Sequence, residues 1–149
     1  MRIREIMTPR PETIAPQALL SEAARRMKSR DTGVLPVCDI HGRIIGILTD
    51  RDIALRVVAE GVSGNLTTVR EVMTADPHCC YEDEDVGAAA QRMQDRQIRR
   101  MTVLDRQDNL VGSVALSDFA NLVDGVQGDL MTARIRESVS MPAQAQTAS

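Results

Sequence analysis

The chain has 149 residues, enough for one domain with a real hydrophobic core or two small units, and too few for a large multidomain enzyme. Eighteen basic residues against 21 acidic ones give a net charge of −3 and a pI near 5.4, which excludes bulk binding to nucleic acid or to an anionic membrane surface. Hydrophobic residues make up 43% but aromatics only 1%, Tyr81 and Phe119, so base-stacking platforms are excluded and Val, Ile, Leu, Met and Ala must build the core.

Charges at Arg2, Arg4 and Glu5 stand where a secretory signal needs apolar residues, and no apolar run approaches the ~18 residues of a membrane span. Cys38, Cys79 and Cys80 are odd in number and two are adjacent, which is no disulfide framework. A soluble, unexported protein in the reducing cytoplasm is expected. Ile3-Arg-Glu-Ile-Met-Thr8 returns as Val69-Arg-Glu-Val-Met-Thr74, and the offset of 66 residues holds without a gap to Val57 and Val123. Of 55 aligned positions 16 are identical, where average composition gives roughly three or four. The chain is two copies of one folding unit.

In chain order, each copy opens with a short helical turn, marked in the second by the capping-box pattern Thr68-Val-Arg-Glu71. A brief strand follows near Thr13 and Ile14, or at Cys79, Cys80 and Tyr81. Next comes a helix with Leu19, Leu20, Ala23, Ala24 and Met27 on one broad face, matched by Val86, Ala89, Ala90 and Met93. Acidic residues 82–85 suit the N-terminal dipole of the second of these helices. Strands are predicted at 34–38 and 43–48, joined by a turn at Asp39-Ile-His-Gly42, with counterparts at 101–104 and 110–114. A closing helix starts near Arg51 or Ser117.

The expected fold class is α+β (α/β-type): two β-α-β-β-α repeats of about 50 residues, each too small to be stable alone, packed sheet to sheet by pseudo-two-fold symmetry. The domains are repeat 1 at 1–60, a linker at 61–68, repeat 2 at 69–124, and a tail at 125–149 with a short helix near 130–139 and a disordered polar end. Ala88, Ala89 and Ala90 extend the apolar surface of the second copy's helix beyond the stripe needed to cover its own sheet, which points to a homodimer.

At the last strand of the first copy stands Gly46-Ile-Leu-Thr49-Asp-Arg-Asp52; the second has Gly112-Ser-Val-Ala115-Leu-Ser-Asp118. Over residues 3 to about 124 the chain resembles the cystathionine-β-synthase (CBS) domain family, whose tandem pair is called a Bateman module and whose signature is Gly-hydrophobic-x-Thr/Ser-x-x-Asp. The resemblance implies that Asp52 and Asp118 accept hydrogen bonds from ribose hydroxyls, and that Thr49 and the helix start, with Arg51 or Ser117 in its first turn, face phosphate. A carboxylate suits a vicinal diol, and free N–H groups at a helix start attract anions. Ala115 departs from the pattern and puts the second site in doubt. Taken alone, Thr-x-x-Asp at a helix start is also nearly a capping box.

Arg99 and Arg100 stand just before the second copy's first core strand, where relatives that bind adenine nucleotides place a phosphate-facing cation; a solvated pair is the alternative. Ile14, Pro36, Val37, Cys80 and Met101 are candidate walls of an adenine slot between the copies, each also a natural core residue. Cys79 and Cys80 point to opposite faces of a strand and share no metal easily. No catalytic residues, metal site or catalytic cofactor are expected. The reading is a regulatory module binding AMP, ADP, ATP or S-adenosylmethionine, with Thr49 making the first site tighter, and acting on an unidentified enzyme or transporter. The rival is a dimerisation module with decayed nucleotide sites.

Overall fold

The computed structural model describes residues 1–75 and 77–123. After a 3-10 turn at Ile3–Glu5 the elements are β1 (Thr8–Pro9), α1 (Leu20–Arg30), β2 (Val34–Cys38), β3 (Ile44–Thr49), α2 (Asp50–Ile53), α3 (Val69–Val72), β4 (Thr74–Ala75), β5 (Cys79–Tyr81), α4 (Val86–Arg96), β6 (Arg100–Leu104), β7 (Leu110–Ala115) and α5 (Leu116–Val123). α2 runs on through wider π-type turns at Ala54–Val58. The expected helix at 130–139 and the polar end lie outside the described residues.

The chain forms two compact units that do not follow the sequence repeats. One is Pro11–Pro77; the other joins Met1–Arg10 to the chain from His78 onward. In the first, β2 and β3 are antiparallel and β3 takes up β4 at its other edge. In the second, β5 and β6 are parallel, β6 and β7 antiparallel, and β1 adds to the edge of β7. Each unit thus receives its edge strand from the opening segment of the other repeat. The main-chain bonds seating these segments match one for one at the 66-residue offset. Ile3 and Arg4 donate to the carbonyls of Glu84 and Glu82, as Val69 and Arg70 donate to those of Ala18 and Pro16.

The apolar pattern explains the rest. Ile14, Leu20, Ala23, Met27, Leu35, Val37, Leu48, Val57, Val69 and Val72 form one core; Ile3, Cys80, Val86, Ala89, Ala90, Met93, Ile98, Met101, Val103, Val114, Leu116 and Phe119 form the other. Several expectations need correcting. Ile14 makes a single parallel bridge to Val37 and no strand, because Pro11 and Pro16 bracket it and supply no N–H for a ladder. Leu19 is the residue before α1 and Ala24 faces outward, so the buried face is Leu20, Ala23 and Met27. Ala89 and Ala90 are enclosed in their own core, which leaves only Ala88 of the three alanines exposed and removes most of the surplus apolar surface. Cys38 is half-buried at a strand end. Residues 61–67 pack on the start of α1, where Gly64 and Thr67 carbonyls accept from the Ser21 and Leu20 N–H groups.

Candidate functional site

Each unit carries one copy of the signature at the junction of its last repeat strand and the following helix. The glycine is needed because the exchanged segment crosses it. A Cβ on Gly46 would lie 2.7 Å from Met73 Sδ and 2.9 Å from the Thr74 carbonyl oxygen; on Gly112 it would lie 2.5 Å from Met7 Sδ and 3.0 Å from the Thr8 carbonyl oxygen. These methionines lie over the signature glycines, and sequence reasoning passed over them. The signal was present, since Met7 and Met73 are identical under the repeat offset.

Past the glycine, Thr49 and Asp52 form a complete capping box. Thr49 N–H donates to Asp52 Oδ2 at 3.0 Å, and Asp52 N–H donates to Thr49 Oγ1 at 3.1 Å. In the other unit Ala115 N–H donates to Asp118 Oδ2 at 2.7 Å, but alanine offers Asp118 N–H no acceptor in return. The capping reading therefore describes the local geometry. Each aspartate spends one oxygen on the backbone and holds the other, Oδ1, at a half-buried position with no partner among the described residues. A carboxylate fixed in this way presents a free acceptor at the same place twice.

Around that acceptor the units diverge. Gly33 O accepts the Asp50 N–H at 2.9 Å, and Arg99 O accepts the Leu116 N–H at 3.0 Å. Val34 pairs with Thr49, and Arg100 with Ala115. Arg99 and Arg100, both half-buried, thus flank the Asp118 helix start, with Ser117 exposed in its first turn. Arg51 is exposed beside Asp52. The structure therefore brings Thr49, Arg51 and Asp52 together in one unit and Arg99, Arg100, Ser117 and Asp118 together in the other.

The proposed apolar walls are a different matter. Ile14 and Cys80 are 2% and 1% exposed and Val37 and Met101 are 0% and 2%, all four within their own unit's core, while Pro36 is buried between Leu35 and Val37 on β2. Of the aromatics, Phe119 is core, and Arg106 lies over one face of the Tyr81 ring at 4.2 Å. Cys79 Sγ meets Thr102 Oγ1 at 2.9 Å while Cys80 turns into the core, where burial, aided by Glu84, pushes its thiol up to about 12. Among the described residues no cluster of three His, Cys, Asp or Glu side chains could hold a metal, and no helix is long and apolar enough to cross a membrane.

A second pair of residues supports both half-sites and was also missed in the sequence. Arg26 and Arg92, again 66 apart, reach from α1 and α4 to the carbonyls of Thr13 (2.8 Å) and Cys79 (3.2 Å), pinning the segments that carry Ile14 and Cys80. Arg26 pairs with Glu22 at 3.0 Å, and Arg92 with Glu84.

Comparison with known proteins identifies the family. The CBS domain family matches residues 3–59 and 69–125, so the chain belongs to that family. It is 42% identical over 123 residues to the CBS domain-containing protein YhcV of Bacillus subtilis, covering 79% of this chain and 82% of that one. The CBS domain pair of protein MJ0100, solved with 5′-methylthioadenosine and S-adenosyl-L-methionine, superposes with a TM-score of 0.73 at 30% identity, covering 84% of this chain and 97% of the other. The AMP-complexed CBS domain protein PAE2072 of Pyrobaculum aerophilum shares the fold at a TM-score of 0.72 and 23% identity, covering 83% and 97%.

Proposed function

We propose that this protein is a regulatory module that binds adenosine-containing nucleotides through Asp52 and Asp118, catalyses no reaction, and signals occupancy through its conformation or the geometry of a homodimer in the cytoplasm. The observation that carries this reading is the twice-repeated aspartate whose Oδ2 is tied to the backbone while Oδ1 stays free, an arrangement suited to a ribose diol. The ligands of the MJ0100 pair, both adenosines, support the same chemical class. Leu55 and Val58, 50% and 72% exposed, support self-association. The three free cysteines suit a reducing compartment.

A thermal-shift panel of AMP, ADP, ATP and S-adenosylmethionine tests the reading. A ligand at 100 times its dissociation constant adds about 2.7 kcal/mol to the folded state, a rise of roughly 4 to 10 °C for a chain of this size. A flat response at millimolar ligand would overturn it in favour of a second reading, a dimerisation module with decayed sites. Ala115, which lacks the signature hydroxyl, favours that second reading. Light scattering then separates the two, since the second reading retains a ligand-indifferent dimer.

A further inference from the structure

The two aspartates share one geometry but sit in opposite electrostatic settings, and a matched pair of residues at each helix start is the cause. A Cβ on Gly33 would lie 2.7 Å from Asp50 Oδ2. The Asp50 carboxylate thus occupies the volume into which any side chain at position 33 would project. Through Oδ1 it also accepts the Arg51 N–H at 2.8 Å, while Thr49 Oγ1 accepts the Asp52 N–H. The amides that an incoming anion would use at this helix start are therefore already met by the chain's own oxygens, one of them on a charged carboxylate.

In the other unit both members of the pair change together. Leu116 stands for Asp50 and is 3% exposed, turned into the core, and Arg99 stands for Gly33. Leu116 and Ala115 bring no side-chain oxygen, so the Ser117 and Asp118 amides lack the acceptors their counterparts have. By backbone pairing Arg99 and Arg100 stand beside the helix start that carries Asp118, where the other start carries Asp50, Arg51 and Asp52, so the formal balance is basic at one and acidic at the other. At a partly solvated position, each unit charge placed or removed near a phosphate changes its affinity by about tenfold.

We infer that the two half-sites divide adenosine ligands by charge: the Asp118 half takes a phosphorylated adenosine, and the Asp52 half, with Asp50 as its specificity-determining residue, takes an adenosine whose 5′ substituent is uncharged or cationic. This deepens the nucleotide-binding reading and rests on it. It also reverses the ranking that Thr49 suggests on its own, because the Asp50 carboxylate stands beside the hydroxyl that would donate to a phosphate.

Calorimetric titration of the full chain with AMP and with 5′-methylthioadenosine tests the division, using Asp52→Asn, Asp118→Asn and Asp50→Asn. Asparagine keeps a side-chain oxygen for the capping bond, and melting curves of the free variants check folding. Asp118→Asn should weaken AMP at least tenfold and leave 5′-methylthioadenosine unchanged; Asp52→Asn should do the reverse. In the Asp118→Asn background, adding Asp50→Asn should raise residual AMP affinity about 3- to 10-fold. AMP lost through Asp52→Asn, or Asp50→Asn without effect on AMP, would overturn the division while leaving nucleotide binding standing. Failure of both ligands to bind the wild-type chain would overturn the division and the nucleotide reading together.

Discussion

The unit at 11–77 and the unit joining residues 1–10 to the chain from 78 onward repeat one backbone and differ where a ligand would be read. Edge strand, glycine crossing, pinned aspartate and helix-borne arginine recur at the same offset. Thr49 against Ala115, Asp50 against Leu116 and Gly33 against Arg99 do not. Duplication has conserved what packs the units and released the residues that set charge at the helix start. Features in the first class should respond alike in both units, and features in the second should respond unequally.

The largest expected effect tests the shared class. Gly46→Ala and Gly112→Ala each drive a methyl into a methionine sulfur and a carbonyl oxygen, which should cost about 1–3 kcal/mol apiece. Similar losses in denaturant melts would confirm that the crossing is one device used twice, and a loss at only one would break the equivalence. Next come the arginines. Arg92 and Glu84 are 31% and 19% exposed against 39% and 43% for Arg26 and Glu22. Arg92→Ala should therefore cost about 1–2 kcal/mol and Arg26→Ala less than about 1. Equal costs would show that the carbonyl bonds, and not the ion pairs, carry the contribution.

The capping difference is of similar or smaller size. Thr49→Ala should lose about 1 kcal/mol, and Ala115→Thr, which supplies the missing acceptor for Asp118 N–H, should gain about 0.5–1. A destabilised Ala115→Thr would show that the two helix starts are not equivalent in backbone. The smallest effect is absent at neutral pH. Ile14 and Cys80 occupy equivalent core positions, but only Cys80 titrates. Its folded-state pKa, raised to about 12 by burial, lies above the unfolded value of about 8.5. Its contribution is therefore complete below about pH 8.5 and declines as pH rises toward 12. Cys80→Val should flatten the alkaline limb of a stability profile, and an unchanged limb would assign the loss elsewhere.

Helices α1 and α4, the antiparallel strand pairs and the signature were legible because each leaves a local pattern: apolar residues on one helical face, strands bounded by turns, a motif recurring at a fixed offset. The capping box at Thr68 is also as read, with Glu71 accepting the Thr68 N–H at 2.7 Å. The strand exchange was not legible. β1 and β4 are two residues each and pair with strands distant in sequence, Thr8 with Ser113 and Thr74 with Ile47, so no periodicity announces them. The charge contrast escaped for a different reason. Asp50 reads as a helix-start acid until Gly33 is seen beneath it, and that juxtaposition joins two strands' ends.

The exchange also imposes an order on biosynthesis. Residues 11–77 are contiguous and can close as soon as they have left the ribosome, with every strand of their sheet in hand. Residues 1–10, although made before that unit, meet their first partners at Glu82 and Glu84, and β1 has none until β7 emerges some hundred residues later. An amino-terminal truncation or fusion should consequently register in the late-made unit and spare the one next to it in sequence.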